Sequence, residues 1–123
     1  MAVCDPDLDR ARALAAAHGV PDCVADLAEL PALGVRVIHL CTPPDLHAPL
    51  IRRALDAGLH VFCEKPLALC EADAQELKNQ AQAKDLTLAV NHNNVFHPAF
   101  RRLVARIDAC LLYTSDAADE EDS

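Results

Sequence analysis

Val61-Phe62-Cys63-Glu64-Lys65-Pro66 is the stretch whose reading decides the fold. An apolar run of strand type ends in an acid, a base and a proline. In a parallel α/β sheet the carboxyl ends of the strands line the crevice where ligands bind. A charged pair on a proline-stiffened turn at that edge is therefore a candidate for chemistry. A cis Lys65–Pro66 bond fits such a turn but is not readable from sequence.

Working outward, Leu59 to Cys63 reads as a strand. It is preceded by a helical pattern from about Asp45 to Ala57, with Leu46, Pro49, Leu50, Ala54 and Leu55 inward and Gly58 as the stop. Before that helix, Val35 to Cys41 is a β-branched strand bounded by Gly34 and by Thr42-Pro43-Pro44. On the other side, Glu71 to Lys84 reads as an amphipathic helix with Ala74, Leu77 and Ala81 on one face. Leu86 to Val90 is a strand, Asn91-His92-Asn93-Asn94 a polar turn, and Pro98 to about Ile107 a further helix. Nearer the start, Met1 to Cys4 is a short apolar run. Leu8 to His18 is a helix with Asp7 as N-cap, Gly19 as stop, and Leu8, Ala11, Leu14, Ala15 and Ala16 on one face. Cys23 to Ala25 reads as a very short strand, and Asp26 caps a short helix that ends near Pro31. The alternation of strands and helices over short connections predicts an α/β fold with a parallel sheet covered on both faces.

Length and composition bound the function. The 123 residues give room for one domain. A net charge of −8 argues against nucleic acid and anionic membrane surfaces as partners. That acidity is concentrated at the end, where residues 110–123 hold five acids and no base. No apolar run reaches the length of a membrane span, and the first residues have no signal-peptide pattern, so a reducing cytoplasm is the expected compartment. The six cysteines show no Cys-x-x-Cys and read as small buried apolar groups, with no metal site.

Four places carry candidate chemistry. Asp5, just past a first strand, can accept hydrogen bonds from both ribose hydroxyls of a dinucleotide and repel a 2′-phosphate; it can equally be a turn-former. Thr42 and Pro43, with Pro44 and His47, form either a pinned wall against a flat cofactor or an ordinary loop-to-helix junction. Lys65 is the strongest single candidate: an ammonium beside a substrate hydroxyl stabilises an alkoxide-like transition state during hydride transfer. Glu64 would position that lysine or share its proton, and the bland alternative is a solvated ion pair. His92 and Asn93 can hydrogen-bond sugar or nicotinamide groups, or simply turn the chain.

Together these residues resemble the family of glucose–fructose oxidoreductase and inositol dehydrogenase, Gfo/Idh/MocA. The resemblance runs over about residues 2–107. It rests on Asp5, Thr42-Pro43-Pro44-x-x-His47, Ala54-x-x-x-Gly58-x-His60-Val61-x-Cys63-Glu64-Lys65-Pro66-Leu67-Ala68, His92-Asn93 and Phe96-x-Pro98. It implies NAD or NADP held by a Rossmann domain, and a second α/β domain that binds a sugar, inositol or related polyol. It implies Asp5 at the adenosine ribose, Thr42-Pro43 along the cofactor, and Glu64-Lys65-Pro66 at the nicotinamide, with His47 and Asn93 as further cofactor contacts. NAD is expected over NADP because of Asp5. A homo-oligomeric parent is left open.

The departures shape the remaining expectations. Only Gly19, Gly34 and Gly58 are present, with no Gly-x-Gly-x-x-Gly, and Asn94-Val95 stand where the family often has arginine. Residues 1–109 are thus expected to be a truncated, doubly wound Rossmann-type sheet lacking its first strand and Gly-rich turn. Its loss would leave two neighbouring strands with open edges. Residues Cys110 to Glu120 back-translate to the reverse complement of a transposase sequencing adapter, so 110–123 are expected to be non-native read-through; a natural acidic disordered tail is the other reading. Two functional alternatives stay open: an inactive truncated fragment, and a non-catalytic nucleotide- or sugar-binding α/β domain.

Overall fold

The strand expected at residues 59–63 forms as β4, His60–Glu64, one residue further on, in a computed structural model that describes residues 1–118. Residues 119–123, the end of the segment read as adapter sequence, lie outside the described residues. The order is β1 (Ala2–Cys4), α1 (Leu8–His18), β2 (Asp22–Val24), a 3-10 helix (Leu27–Leu33), β3 (Val37–Leu40), a 3-10 turn (Pro44–Leu46), α2 (His47–Asp56), β4, α3 (Glu71–Ala83), β5 (Leu88–Asn91), a 3-10 turn (Asn93–Phe96) and α4 (Pro98–Ala118). The chain divides into two units, Met1–Asn91 and His92–Ser123.

In the first unit every strand pairing is parallel, as the helix between each pair of strands requires. The strands do not form one sheet, however. β1 pairs only with β2, and β3-β4-β5 form a separate sheet in that order. The expected open edges are therefore those of β1 and β3.

Local sequence explains the helix ends. Asp7 accepts from the N–H groups of Asp9 and Arg10, which satisfies two orphan donors at the start of α1. Gly19 closes that helix at φ +64°, returning its N–H to the Ala15 carbonyl, a backbone state that a Cβ disfavours. Asp26 and Glu29 form a reciprocal capping box at the 3-10 helix. That helix runs through Pro31 to Gly34 instead of ending at the proline. A 3-10 helix is so short that the one donor missing at Pro31 removes little.

The core lies between α2, α3 and one face of β3-β4-β5. Ile51, Ala54, Leu55, Cys63 and Leu77 have no exposed surface, and Leu59 and Val61 are 1% exposed. A fully buried aliphatic side chain contributes about 1.5–3 kcal/mol. Val24, Leu27 and Leu30 join the same cluster from β2 and the 3-10 helix, so packing bridges the two sheets where backbone pairing does not. The inward face of α2 differs from the expected one. His47, Ala48, Ile51, Ala54 and Leu55 are buried, while Leu46 and Pro49 are exposed. The apolar stripe passes through a histidine, and a count of apolar residues alone rotates the helix. On the opposite face of the three-stranded sheet no described helix of the first unit supplies the expected cover: Val37 is 61% exposed, and His39 and Phe62 are exposed beside it.

Ion pairs fasten the layers. Arg53 bonds both Asp26 oxygens at 2.7 and 2.8 Å, and Arg52 bridges Asp73 and Glu76 of α3. These three carboxyls, and Asp56 paired with Lys84, are held below their ordinary range: Asp26 by the Ala28 N–H and then Arg53, Asp73 by the Cys70 thiol and then Arg52, Glu76 by Arg52, and Asp56 by Lys84. Depressed folded-state values contribute stability above the unfolded carboxylate range, about pH 4, and lose it as pH falls through the lowered values. The urea midpoint is expected to be flat from neutrality to about pH 5 and to drop below about pH 4. A midpoint that stayed level to pH 3 would mean that these pairs contribute nothing.

Candidate functional site

Within the three-stranded sheet, parallel pairing brings the carboxyl ends of β3, β4 and β5 to one edge. Thr42 and Pro43 follow β3, Glu64 ends β4 with Lys65 and Pro66 behind it, and Asn91 ends β5. The Lys65–Pro66 bond is cis. Lys65 is exposed, and among the described residues its ammonium has no ion-pair partner.

Glu64 does not hold Lys65, which differs from one of the roles expected for it. Its Oε1 accepts instead from Asn91 Nδ2 at 2.9 Å and from His39 Nε2 at 3.2 Å. Asn91 and then His39 stabilise the ionised form, and the carboxyl sits below its ordinary range; the neighbouring Lys65 charge adds to this. In turn the buried Cys63 thiol is pushed up to about 11, chiefly by desolvation and then by Glu64.

His47 is 1% exposed and spans two turns. Nδ1 lies 2.6 Å from the Pro66 carbonyl and Nε2 2.8 Å from the Thr42 carbonyl. Carbonyl oxygens only accept, so a neutral ring donates to one of them at a time. The side chain thus couples the turn after β3 to the turn after β4, and its two nitrogens are occupied by the chain's own backbone. The sequence reading had placed it at the cofactor surface.

Asp5 belongs to the other sheet. Its N–H continues the β1-β2 ladder to the Val24 carbonyl, Oδ1 accepts from the Asp7 N–H at 2.8 Å, and Oδ2 lies 3.6 Å from Arg10. The carboxylate is 25% exposed. Asn93 opens the 3-10 turn of the second unit and is exposed there. The structure thus brings Thr42, Pro43, His47, Glu64 and Lys65 together, with Asp5 at the end of a strand in the second sheet. His39 and Asn91 were missed by the sequence reading. Their signal is the strand register, which sets Asn91 opposite Glu64 and His39 opposite Phe62.

Some hydrogen-bonding capacity is left over at the strand ends. Thr42 Oγ1 is buried without a partner among the described residues. An orphaned hydroxyl of this kind carries a desolvation cost that a ligand would relieve. Glu64 Oε2 has no hydrogen-bond partner among the described residues, and the Asp5 carboxylate is partly open. No cluster of metal-ligating side chains occurs among the described residues, and none of the described helices is long and apolar enough to cross a membrane.

Known proteins agree with this geometry. The sequence model of an oxidoreductase family with an NAD-binding Rossmann fold matches residues 1–92. A dTDP-3,4-didehydro-2,6-dideoxy-alpha-D-glucose 3-reductase of Streptomyces violaceoruber is 36% identical over 108 residues, which cover 88% of this chain and 32% of that protein. A 3-ketoreductase from Actinomadura kijaniata, solved with TDP-benzene and NADP, superposes with a TM-score of 0.78 at 31% identity, over 89% of this chain and 34% of the other. A protein from gentamicin A biosynthesis, solved with NAD, gives 0.72 at 32% identity, over 80% and 28%. The chain spans about a third of the length of such relatives.

Proposed function

Because the chain belongs to the Gfo/Idh/MocA family of oxidoreductases, with its NAD-binding Rossmann fold over residues 1–92, we propose that the protein it represents is an NAD-preferring oxidoreductase. It moves a hydride between the nicotinamide and a carbon bearing a secondary hydroxyl of a sugar, inositol or related polyol. The observation that carries this reading is Lys65, an exposed ammonium without an ion pair among the described residues, set at the carboxyl end of β4 between Glu64 and the turn that His47 ties to Thr42.

A bound nicotinamide supplies the hydride acceptor or donor. The chain's own residues do the rest. Lys65, as the neutral amine, takes the proton from the substrate hydroxyl oxygen as the carbonyl forms, and as the ammonium it returns that proton in the reverse direction. An ammonium in this place stabilises negative charge developing on that oxygen. Asp5 accepts hydrogen bonds from the adenosine ribose, and its charge opposes a 2′-phosphate. Arg10, 3.6 Å away, offsets part of that charge, so the preference for NAD is one of degree. Thr42 and Pro43 line the cofactor. The substrate is held mostly by parts of the protein outside this chain.

Calorimetric titration of the 123-residue chain with NAD and with NADP tests this reading. NAD is expected to bind more tightly, and Asp5→Asn is expected to narrow the difference. Equal affinities overturn the preference. Binding of neither overturns the dinucleotide role of residues 1–109 and leaves an inactive α/β unit.

A further inference from the structure

Glu64 and Lys65 are neighbours of opposite charge, and the simplest fate of such a pair is mutual neutralisation. The structure does something else with them. Three adjacent strands each contribute one side chain at the same edge: His39 from β3, Glu64 from β4 and Asn91 from β5. Register sets Asn91 directly opposite Glu64, while His39 lies one step back, opposite Phe62. The His39 ring packs on Phe62 with centroids 4.8 Å apart. That packing aims Nε2 along the sheet toward the carboxylate. Both donors converge on a single oxygen, Oε1, at 2.9 and 3.2 Å. Oε2 has no partner among the described residues, and neither does the Lys65 ammonium.

We propose that His39 and Asn91 are positioning residues that hold the Glu64 carboxylate across the strand ends and away from Lys65, so that an acceptor oxygen and a free ammonium face a ligand hydroxyl side by side. Both donors use the same oxygen, and this matters chemically. A carboxylate pinned through one oxygen keeps a direction, and its second oxygen keeps full accepting capacity. A carboxylate left unpinned on a 33%-exposed side chain has no reason to stay off the adjacent ammonium. In this bond Nε2 of His39 carries the proton, since the carboxylate only accepts.

The ionisable groups that face Glu64 are His39 from β3, Lys65 on its own turn, and the thiols of Cys41 and Cys63, which burial and then Glu64 push up. Neither thiol bonds the carboxylate. Asn91 and then His39, with a smaller contribution from the Lys65 charge, hold its carboxyl below the ordinary range and so favour the ionised form. The purpose assigned to the arrangement rests on the reading of Lys65 as the proton-transfer group. The arrangement itself does not.

The test is a carbon-detected titration of the Glu64 carboxyl in the 123-residue chain, with amide spectra recorded at each pH to report that the sheet stays folded. Asn91→Ala is expected to raise the Glu64 midpoint most. His39→Phe, which keeps the ring on Phe62 and removes the donor, is expected to raise it less. His39→Gln is expected to restore part of the shift, the part that the donated hydrogen bond supplies. An unmoved midpoint in His39→Phe means that His39 only packs, and overturns its role. A second reading at neutral pH needs no acid titration. In the Asn91→Ala/His39→Phe double variant the carboxylate is expected to turn to Lys65 and slow the exchange of the ammonium protons. Unchanged exchange overturns the claim that the two residues keep acid and base apart. Addition of NAD to the same samples separates the two readings. Shifts that hold without any dinucleotide binding leave the geometry intact and remove the purpose proposed for it.

Discussion

Lys65→Ala, introduced into an enzyme that carries this segment with its substrate domain, is expected to lower kcat by about 10²–10⁴-fold, the usual worth of a positioned acid–base group. Dinucleotide affinity should change by no more than about twofold, because the loss falls on the transition state and not on ground-state binding. Lys65→Arg should not rescue. A guanidinium stays protonated at any working pH, so it can stabilise charge but cannot accept the hydroxyl proton. Steady-state kcat and KM with a sugar-type substrate decide the matter. An unchanged kcat in Lys65→Ala removes the lysine from the chemistry and reduces Glu64-Lys65-Pro66 to a structural turn.

The second large effect is on stability. His47→Ala empties a site that is 1% exposed and removes the donor that the Thr42 and Pro66 carbonyls share. An unsatisfied buried acceptor costs about 1–3 kcal/mol, and the cavity adds to it. A loss of about 3 kcal/mol is expected, a large share of the 5–15 kcal/mol ordinary for a domain. His47→Phe separates the two contributions: it fills the volume and still forfeits the bonds, so about half of the loss should remain. Urea unfolding at neutral pH measures both. A loss within about 0.5 kcal/mol, typical of surface substitutions, would mean that the ring does not bridge the two turns.

Much of the fold is legible because its punctuation is local. Asp7 and Gly19 announce both ends of α1, and Gly34 and Gly58 announce the starts of β3 and β4, since each acts within a few residues of itself. What is not legible depends on partners. The buried stripe of α2 runs through His47, which counts as polar until the two carbonyls that receive it are known. Leu14 of α1 reads as inward and is 51% exposed, because no layer covers that side of the helix. α4 continues to Ala118, past Ile107 where the sequence pattern loses sense, since backbone helicity needs no meaningful apolar face to propagate. The same division holds for the site. Glu64 and Lys65 announce themselves as a charged pair at a strand end. The donors that choose between their two fates, His39 and Asn91, lie 25 and 27 residues away, and only the pairing of three strands brings them in.

The break between β1 and β3 has a consequence for affinity. Asp5 stands on one sheet and Lys65 on the other, and side-chain packing with the Arg53–Asp26 ion pair, not strand pairing, joins the two. A dinucleotide that touches both behaves as a crosslink. Some of its gross binding energy would go into fixing the distance between two plates that no strand pairing joins. The measured Kd is weakened by whatever fraction of the population has the plates apart. Substitutions that tighten the packing of Val24, Leu27 or Leu30, far from any ligand, should then strengthen binding without adding a contact to it.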